Sequence, residues 1–497
     1  MWLLKIFMED ISIQVRNRLT VSREFVDKAG QYRYVSKLGF QPLSPLDGRY
    51  HPVVQGLGEH LSEAGLNRAR LLVEIEWLIH LADRDVLGTS TEIDDVLKQS
   101  LRGLVADFGP QDIATLAAFE ATTKHDVKAI EYFIREKLTA LGRKDLLELV
   151  HFGCTSEDVN NLSYAITIHD AITDVWLPKA EDLISKLTQL AQKYADSPML
   201  SRTHGQPATP STMGKELAVF VHRLNRQVKR IKACEYLGKF SGATGTWSAH
   251  LAVDDTIDWL AESKTFVESL GLTFNPLTTQ IESHDWQAEL YSAVTLFNRI
   301  LHNLCTDIWT YISINYFKQI PVAGATGSST MPHKVNPIRF ENAESNLELS
   351  NAILDSLSQT LVTSRMQRDL TDSSSQRNIG LGLGHSLLAL DNVTKGLGEI
   401  ELNSSVLEAD LMENWEVLAE AIQTVIRAEI ARGNSEISDP YALLKELTRG
   451  KRISGDDLLH FVSGLDIPTE AKERLISLKP NTYTGIASEL VRIITAE

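Results

Sequence analysis

The sequence predicts an all-α protein built around long helices. Apolar residues recur at steps of three and four, which places them on one face of a helix, at Leu217, Phe220, Val221, Leu224, Val228 and Ile231. A second run of this kind, residues 285–318, contains neither Pro nor Gly, and as one helix it would be about 50 Å long. Alternating runs of Val, Ile and Thr between turns, which indicate strands, are sparse. Helices of this length predict a bundle that also packs against other subunits.

The chain of 497 residues is long enough for two or three domains. We predict an N-terminal extension of unassigned role over residues 1–38, an N-terminal helical domain over 39–144, a central long-helix bundle over 145–397 and a C-terminal helical domain over 398–497. Prolines and an Asp-Gly pair within residues 41–50 indicate a turn-rich entry to the N-terminal helical domain. Beyond residue 398 the predicted helices become shorter and more charged.

The composition argues against several classes of partner. A formal net charge of -16 and a pI near 5.4 argue against nucleic acid, because a phosphate backbone requires a basic surface. No run of 18 apolar residues occurs, so we expect no membrane span. Cys154, Cys234 and Cys305 form no metal-binding or disulfide pattern. We therefore expect a cytoplasmic protein without metal or cofactor, acting on a small molecule.

The strongest functional signal is the segment Gly324-Ala-Thr-Gly-Ser-Ser-Thr-Met-Pro-His-Lys-Val-Asn-Pro337. Segments of small residues followed by prolines are usually surface loops. Its Gly-Ser-Ser-x-Met-Pro-x-Lys-x-Asn-Pro pattern, however, resembles the signature of the fumarase/aspartase superfamily. The resemblance implies a three-domain helical fold, a tetramer core made by the central bundles, and a loop that closes on an anionic substrate. It also implies that Ser328 is the general base, while Lys334 and Asn336 hold the carboxylate where negative charge develops.

A second segment, Ser201-Arg-Thr-His-Gly-Gln-Pro-Ala-Thr-Pro-Ser211, has Pro and Gly residues that predict irregular structure. Ser211 or Thr212 can cap the helix that follows. A lone His is more often a structural or surface residue. The segment nevertheless resembles the catalytic-acid segment of the superfamily, which implies that His204 protonates the departing nitrogen.

A third segment, His151-Phe-Gly-Cys-Thr-Ser-Glu-Asp158, contains the start of a predicted helix. Thr155 and Ser156 are good N-cap residues, and this role alone would explain them. Hydroxyl groups and N–H groups at a helix start also bind carboxylates. The match to the superfamily favours both roles.

Two segments resemble the bacterial branch of the adenylosuccinate lyase family more narrowly. Ser44-Pro-Leu-Asp-Gly-Arg-Tyr50 resembles its nucleotide-contacting start, which implies that Arg49 and Tyr50 bind the substrate. Thr122-Thr-Lys-His-Asp-Val-Lys128 resembles a family segment written Thr-Thr-Asn-His-Asp. His125 and Asp126 carry over as substrate contacts, and His125 also as a catalytic residue. Lys124 stands where the family has Asn, so it is either a substrate contact or a solvated charge.

The last segment, Ser364-Arg-Met-Gln-Arg-Asp-Leu-Thr-Asp-Ser-Ser-Ser-Gln-Arg377, is rich in arginine. A mixed-charge run is usually a solvated helix face. The family resemblance instead assigns a set of residues to the phosphate and nucleotide: Arg368, Ser373, Arg377, Gln280 and Asn342. Planar guanidinium groups match phosphate and carboxylate oxygens well, which agrees with this assignment.

The resemblance covers residues 42–497 and implies a function. It implies elimination of fumarate from adenylosuccinate, giving AMP, and from the succinyl-carboxamide imidazole ribotide, giving AICAR. The enzyme would be a homotetramer whose sites combine residues from several subunits. The alternatives are another fumarate-releasing lyase, such as argininosuccinate lyase, and a catalytically silent structural homologue. Composition and periodicity alone support only the helical architecture.

Overall fold

The computed structural model describes residues 42–89, 93–321, 331, 334–448 and 453–495. The chain divides into two compact units, with the boundary between His51 and Pro52. In the first unit, the N–H of Asp47 donates to Ser44 O (3.2 Å) and the N–H of Tyr50 donates to Pro45 O (2.9 Å). The predicted turn-rich segment is therefore confirmed.

Five helices cover most of residues 51–140. They are α1 (His51–Leu61), α2 (Glu63–Asp83), α3 (Asp95–Ala106), α4 (Pro110–Thr123) and α5 (Asp126–Ala140), followed by a 3₁₀ helix (Lys144–Leu149). Helices α2 to α5 share one hydrophobic cluster. Helix α2 lies at its centre, because Leu71, Ile75 and Leu78 are fully buried.

The central helices are long. Helix α6 (Ser156–Asp170) continues through a π-helical segment (Ala171–Trp176) into α7 (Leu177–Lys193). The helices that follow are α8 (Met213–Lys232), α9 (Ser248–Val253), α10 (Trp259–Ser269), α11 (Asp285–Ser313), α12 (Ile338–Leu361), α13 (Thr371–Gln376) and α14 (Ile379–Gly398). Helix α12 packs against α11 and α14, and α8 packs against α7 and α11. The predicted all-α fold with a central long-helix bundle is confirmed.

Residues 198–212 form a β-hairpin, so the prediction of irregular structure there is wrong. Strands β1 (Pro198–Thr203) and β2 (Gln206–Thr212) pair antiparallel. His204 and Gly205 form the turn, with φ angles of 53° and 74°. Each strand of a two-stranded sheet keeps one open edge, so its prolines are tolerated without a donor N–H.

Both sequence predictions for α8, its N-cap and its apolar face, are confirmed. The Thr212 hydroxyl caps the helix by accepting the N–H of Lys215 (3.2 Å). The predicted apolar face is buried, with Leu217, Val221 and Leu224 almost fully covered. Local capping and periodicity therefore define this helix.

Helix α11 is shorter than the run 285–318 suggests. It ends at Ser313, after which Asn315 is left-handed (φ 61°) and the N–H of Tyr316 donates to Tyr311 O (2.8 Å). A short parallel pair, β3 (Leu237–Gly238) with β4 (Thr273–Phe274), precedes α11, and β5 (Phe317–Gln319) follows it. Strand β5 pairs antiparallel with β6 (Ile400–Leu402), a long-range contact that replaces the last helical turn.

The C-terminal helices are shorter, as predicted. They are α15 (Ser404–Met412), α16 (Ala419–Ala431), α17 (Pro440–Thr448), α18 (Gly455–Ser463), α19 (Thr469–Ser477) and α20 (Ala487–Leu490), with 3₁₀ helices at Trp415–Leu418 and Val491–Thr495. One hydrophobic cluster joins α15 to α19. The domain boundaries at 144 and 397 remain predictions. Within the described ranges, no helix is long and apolar enough to cross a lipid bilayer.

Candidate active site

A hydrogen-bonded network joins several predicted site residues at one end of the bundle. Arg377 Nη2 donates to Asp126 Oδ2 at the start of α5 (3.1 Å). Asp126 also accepts from Arg70 Nη2 of α2 (2.9 Å), whose side chain is only 2% exposed. Arg70 Nε donates in turn to Asn160 Oδ1 of α6 (2.9 Å). One buried guanidinium therefore ties three helices together.

The same network continues from Asn160 to Arg368. Asn160 Nδ2 donates to Glu157 Oε1 (2.8 Å), and Glu157 Oε1 lies 2.8 Å from Arg368 Nη2. Arg368 Nη1 donates to Gln280 Oε1 (3.3 Å). We call this region the arginine end; it comprises Asp126, Thr155, Ser156, Gln280, Arg368, Ser373 and Arg377.

Carboxylates balance the arginines at the arginine end. The hydrogen bonds and ion pair with exposed Glu63 raise the pKa of Arg377 above its usual value. Burial alone would raise the pKa of Asp126, but Arg70, the Val127 N–H and Arg377 hold it below its usual range. Asp126 is therefore ionised at neutral pH.

One donor at the arginine end has no acceptor among the residues that the structure describes. Arg368 Nε is buried and makes no hydrogen bond to any part of the chain that the structure describes. A buried donor left in this state costs about 1–3 kcal/mol. An acceptor atom of a ligand at Arg368 would recover that cost.

Thr155 and Ser156 begin α6, as predicted. Thr155 occupies the N-cap with extended backbone (φ -102°, ψ 161°), and Ser156 is the first helical residue. The carboxylate of Asp158 accepts the N–H of Thr155 (2.8 Å). In the first turn the N–H of Asp158 donates to Thr155 O (2.9 Å). The N–H groups of Ser156 and Glu157 precede the first helical acceptor, which favours an anion here.

Gly153 shapes the loop that leads into α6. Its φ of 71° is left-handed, a region that glycine adopts at little cost. A Cβ at this position would lie 2.4 Å from Nε2 of His250. His250 is 1% exposed, and burial lowers its pKa. Its ring packs against Gly153 and edge-on to Trp259, with ring centroids 4.9 Å apart.

Gly153→Ala is expected to displace this loop and raise the KM for substrate. The methyl group has no room beside His250, and left-handed backbone costs alanine about 1–2 kcal/mol. Steady-state kinetics and the melting temperature measure the two effects. Gly142→Ala is the matched control, because Gly142 has φ 76° and no atom within 4 Å of the added Cβ. Equal changes of KM in both variants would contradict this role of Gly153.

His204 lies at the other end of the bundle, where α7 finishes. It is exposed in the turn between β1 and β2. The hairpin is anchored to the C-terminal helices by Arg202, which pairs with Asp410 of α15 (2.6 Å). We call this region the hairpin end.

Lys334, Asn336 and Asn342 also lie at the hairpin end. Lys334 and Asn336 directly precede α12, and Asn342 is in its second turn. The side-chain oxygen of Asn342 accepts from Asn346 (3.1 Å) and from Asn392 of α14 (3.0 Å). These contacts hold Asn342 at the α12–α14 interface.

The two ends are far apart within one chain. Helical backbone from Ser156 to Lys193 separates Thr155 from the hairpin by about 55 Å. Helix α12 has 24 residues and separates Asn336 from the segment of Arg368 by about 36 Å. The structure therefore brings the arginine-end residues together, but it places His204, Lys334, Asn336 and Asn342 elsewhere.

Lys124 and His125 lie at the junction of α4 and α5. Lys124 is exposed and left-handed (φ 56°) at the end of α4, a conformation that Asn adopts more readily than Lys. His125 caps α5, and its Nδ1 accepts the N–H of Lys128 (3.2 Å). Lys124 therefore adopts a left-handed conformation that is unfavourable for its residue type.

Three predicted residues cannot be compared with these two ends. Arg49 and Tyr50 belong to the first unit, where the Arg49 guanidinium lies 5.7 Å from the centre of the Tyr50 ring. Ser328 lies outside the described residues. The assigned roles of all three stay predictions.

Sequence reasoning missed three members of the network: Arg70, Glu157 and Asn160. Arg70 stands in α2 directly before the apolar residues Leu71, Leu72 and Val73. A charge in a buried helix is rare unless it is paired, and this was the available signal. Its partners come from α5 and α6, so local sequence could not identify them.

Family profiles and solved structures identify the superfamily to which this fold belongs. The family profile described as lyase matches residues 59–349, and the profile for the adenylosuccinate lyase C-terminal region matches residues 364–484. A fumarate lyase from Mesorhizobium has a TM-score of 0.69 at 16% identity, covering 89% of this chain and 97% of that one. The 3-carboxy-cis,cis-muconate lactonizing enzyme from Pseudomonas putida has a TM-score of 0.67 at 21% identity, covering 89% and 96%. The fold is that of the fumarate lyase superfamily.

Two curated relatives with high sequence identity identify the family within this superfamily. Adenylosuccinate lyase from Haemophilus influenzae is 49% identical over 450 residues, which cover 90% of this chain and 97% of that protein. Adenylosuccinate lyase from Escherichia coli is 47% identical over the same length, with the same coverage. The chain belongs to the adenylosuccinate lyase family. The resemblance predicted from the sequence motifs is confirmed.

Proposed function

We propose that this protein eliminates fumarate from adenylosuccinate, giving AMP, and from the succinyl-carboxamide imidazole ribotide, giving AICAR. One observation carries the proposal. Arg70, Arg368 and Arg377 are joined in a single network beside the start of α6, in a protein whose net charge is -16. In the free protein these guanidinium groups pair with Asp126, Glu157 and Glu63. Their N–H donors match the oxygens of a ligand with one phosphate and two carboxylates.

The phosphate is assigned to Arg377 and Ser373, with Arg49 and Tyr50 as nucleotide contacts. In the free protein the exposed Glu63 pairs with Arg377, so phosphate binding exchanges one anion for another. Exposed ion pairs contribute at most about 1 kcal/mol, which makes this exchange inexpensive. Arg368, whose Nε makes no hydrogen bond within the described ranges, supplies a further donor to the ligand.

The succinyl group is assigned to Thr155, Ser156, Lys334 and Asn336. Ser328 removes the proton from the carbon beside a carboxylate, and cationic groups stabilise the carbanion that forms. The carbon–nitrogen bond then breaks, and His204 donates a proton to the departing nitrogen. Fumarate and AMP leave as products. His125 and Lys124, beside Asp126, complete the assigned contacts together with Gln280 and Asn342.

The separation of the two ends supports a homotetramer with shared sites. His204 cannot reach the arginine end of its own chain, because about 55 Å of helix lies between them. A second chain running antiparallel would place its hairpin end beside the arginine end of the first. The long helices carry exposed apolar side chains suited to such contacts: Val219, Trp309, Ile338 and Leu349.

The test is an ultraviolet assay of purified protein with adenylosuccinate, read beside its mass in solution. Release of fumarate by a tetramer would support the proposal. Cleavage of argininosuccinate without cleavage of adenylosuccinate would refute it. We also place the enzyme in the cytoplasm, which is consistent with the three free thiols.

Arg377→Ala is expected to raise the KM for adenylosuccinate by about 10- to 100-fold, because a charged hydrogen bond contributes about 1.5–3 kcal/mol. Inhibition by AMP should weaken similarly, and inhibition by fumarate should not change. Steady-state kinetics with each inhibitor measure these effects. Arg365→Ala, at an exposed arginine of the same segment, is the control. Tighter binding of AMP by Arg377→Ala would contradict the phosphate assignment.

A further inference from the structure

A buried ion pair lies directly behind the start of α6. Lys239 Nζ is 2.9 Å from Asp158 Oδ1, and both side chains are fully buried. The backbone of Lys239 also exchanges two hydrogen bonds with the Asn161 side chain of α6 (2.8 and 3.0 Å). The free-energy cost of removing two charges from water offsets much of the attraction between them. Stability alone is therefore a weak explanation for this pair.

The Asp158 carboxylate joins two separate segments of the chain. Oδ2 accepts the N–H of Thr155 (2.8 Å) and of Gly242 (3.1 Å). Oδ1 accepts the N–H of Ser241 (2.8 Å). One side chain thus fixes the N-cap of α6 to the segment 239–243.

The segment 239–243 in turn holds Gln280. The carbonyl oxygen of Ala243 accepts from Gln280 Nε2 (3.0 Å). Lys239 Nζ braces the same segment by donating to Gly242 O (3.0 Å). The spacing between Thr155 and Gln280 therefore depends on the ion pair.

Lys239 also compensates the charge of Asp158. An unpaired carboxylate inside the first turn of α6 would repel a ligand carboxylate bound at Thr155 and Ser156. It would also offset the favourable partial charge of the helix start. The buried ammonium group of Lys239 prevents both effects without itself reaching the ligand site.

We propose that Asp158 and Lys239 are positioning residues for the fumarate half of the substrate. Asp158 sets Thr155 and Ser156 against Gln280, and Lys239 keeps this site attractive to a carboxylate. The inference rests on the proposed function, which assigns a substrate carboxylate to Thr155 and Ser156.

Lys239→Met tests the inference, with fumarate and AMP used separately as inhibitors of adenylosuccinate cleavage. We expect the fumarate inhibition constant and the substrate KM to rise by about tenfold or more, the effect of one lost charged interaction. The AMP inhibition constant should rise by a smaller factor, because the phosphate contacts at Arg377 and Ser373 are untouched and only Gln280 among the nucleotide contacts depends on this segment. Lys445→Met, the same change at an exposed position of α17, should alter neither constant.

The double variant Asp158→Asn/Lys239→Met guards against simple unfolding, because it leaves no uncompensated buried charge. It should fold with the wild-type mass and still bind fumarate weakly, since an amide cannot accept all the N–H groups that the carboxylate accepts. Unchanged fumarate inhibition, equal losses for fumarate and AMP, or a double variant that does not fold would each overturn the inference. Failure of the wild type to cleave adenylosuccinate would instead refute the proposed function.

Discussion

Ser328→Ala is expected to abolish turnover while substrate still binds. Removal of a general base lowers kcat by about 10²- to 10⁴-fold, and the serine hydroxyl contributes little to the ground-state affinity in the proposed mechanism. Single-turnover measurements of fumarate release give the chemical rate, and calorimetric titration with adenylosuccinate gives the dissociation constant. A large loss of rate with a nearly unchanged dissociation constant is the expected pattern.

Ser329→Ala is the matched control for this experiment, because it makes the same change at the neighbouring residue. It should retain most of the activity. Near-normal turnover by Ser328→Ala would assign the base to another residue. Equal losses in the two variants would indicate a general requirement for polar side chains in this segment.

His204→Ala is expected to lower kcat by about 10²- to 10⁴-fold, the contribution of a general acid. The mass in solution should not change, since His204 is exposed in a hairpin turn. His460→Ala, at an exposed histidine of α18, is the control. A wild-type rate for His204→Ala would remove this residue from the acid role.

Mixed oligomers extend this prediction to the assembly. Because His204 and Arg377 lie at opposite ends of the bundle, we expect one site to take them from different chains. Random reassembly of His204→Ala with Arg377→Ala chains would then restore both residues in about a quarter of the sites. Activity at substrate concentrations below the wild-type KM measures the recovery. No recovery would indicate that both residues of a site come from one chain.

Sequence periodicity predicted the helices well because it reports local geometry. The apolar face of α8 and its cap at Thr212 are set by residues within a few positions of each other. The end of α11 at Ser313 and the β1–β2 hairpin were missed for the opposite reason. Strand β5 pairs with β6, distant in sequence, and the hairpin ladder accommodates its prolines only because it has two strands.

Only part of the site could be predicted, because sequence motifs report local segments and not contacts between helices. Motifs identified Arg368, Arg377, Gln280 and Asp126, and the structure joins all four in one network. Arg70, at the centre of that network, was not predicted. Its partners lie on other helices, so its role follows from packing and not from any neighbour in the sequence.

The sequence by itself determined the helical class, the family and the kinds of side chain that serve the chemistry. Only the tertiary structure decided that the arginine end and the hairpin end of one chain lie apart. An α-helix is a stiff rod that advances 1.5 Å per residue, so residues on either side of a long helix are held far from each other. The packing of separate helices then decides which site residues lie close to each other.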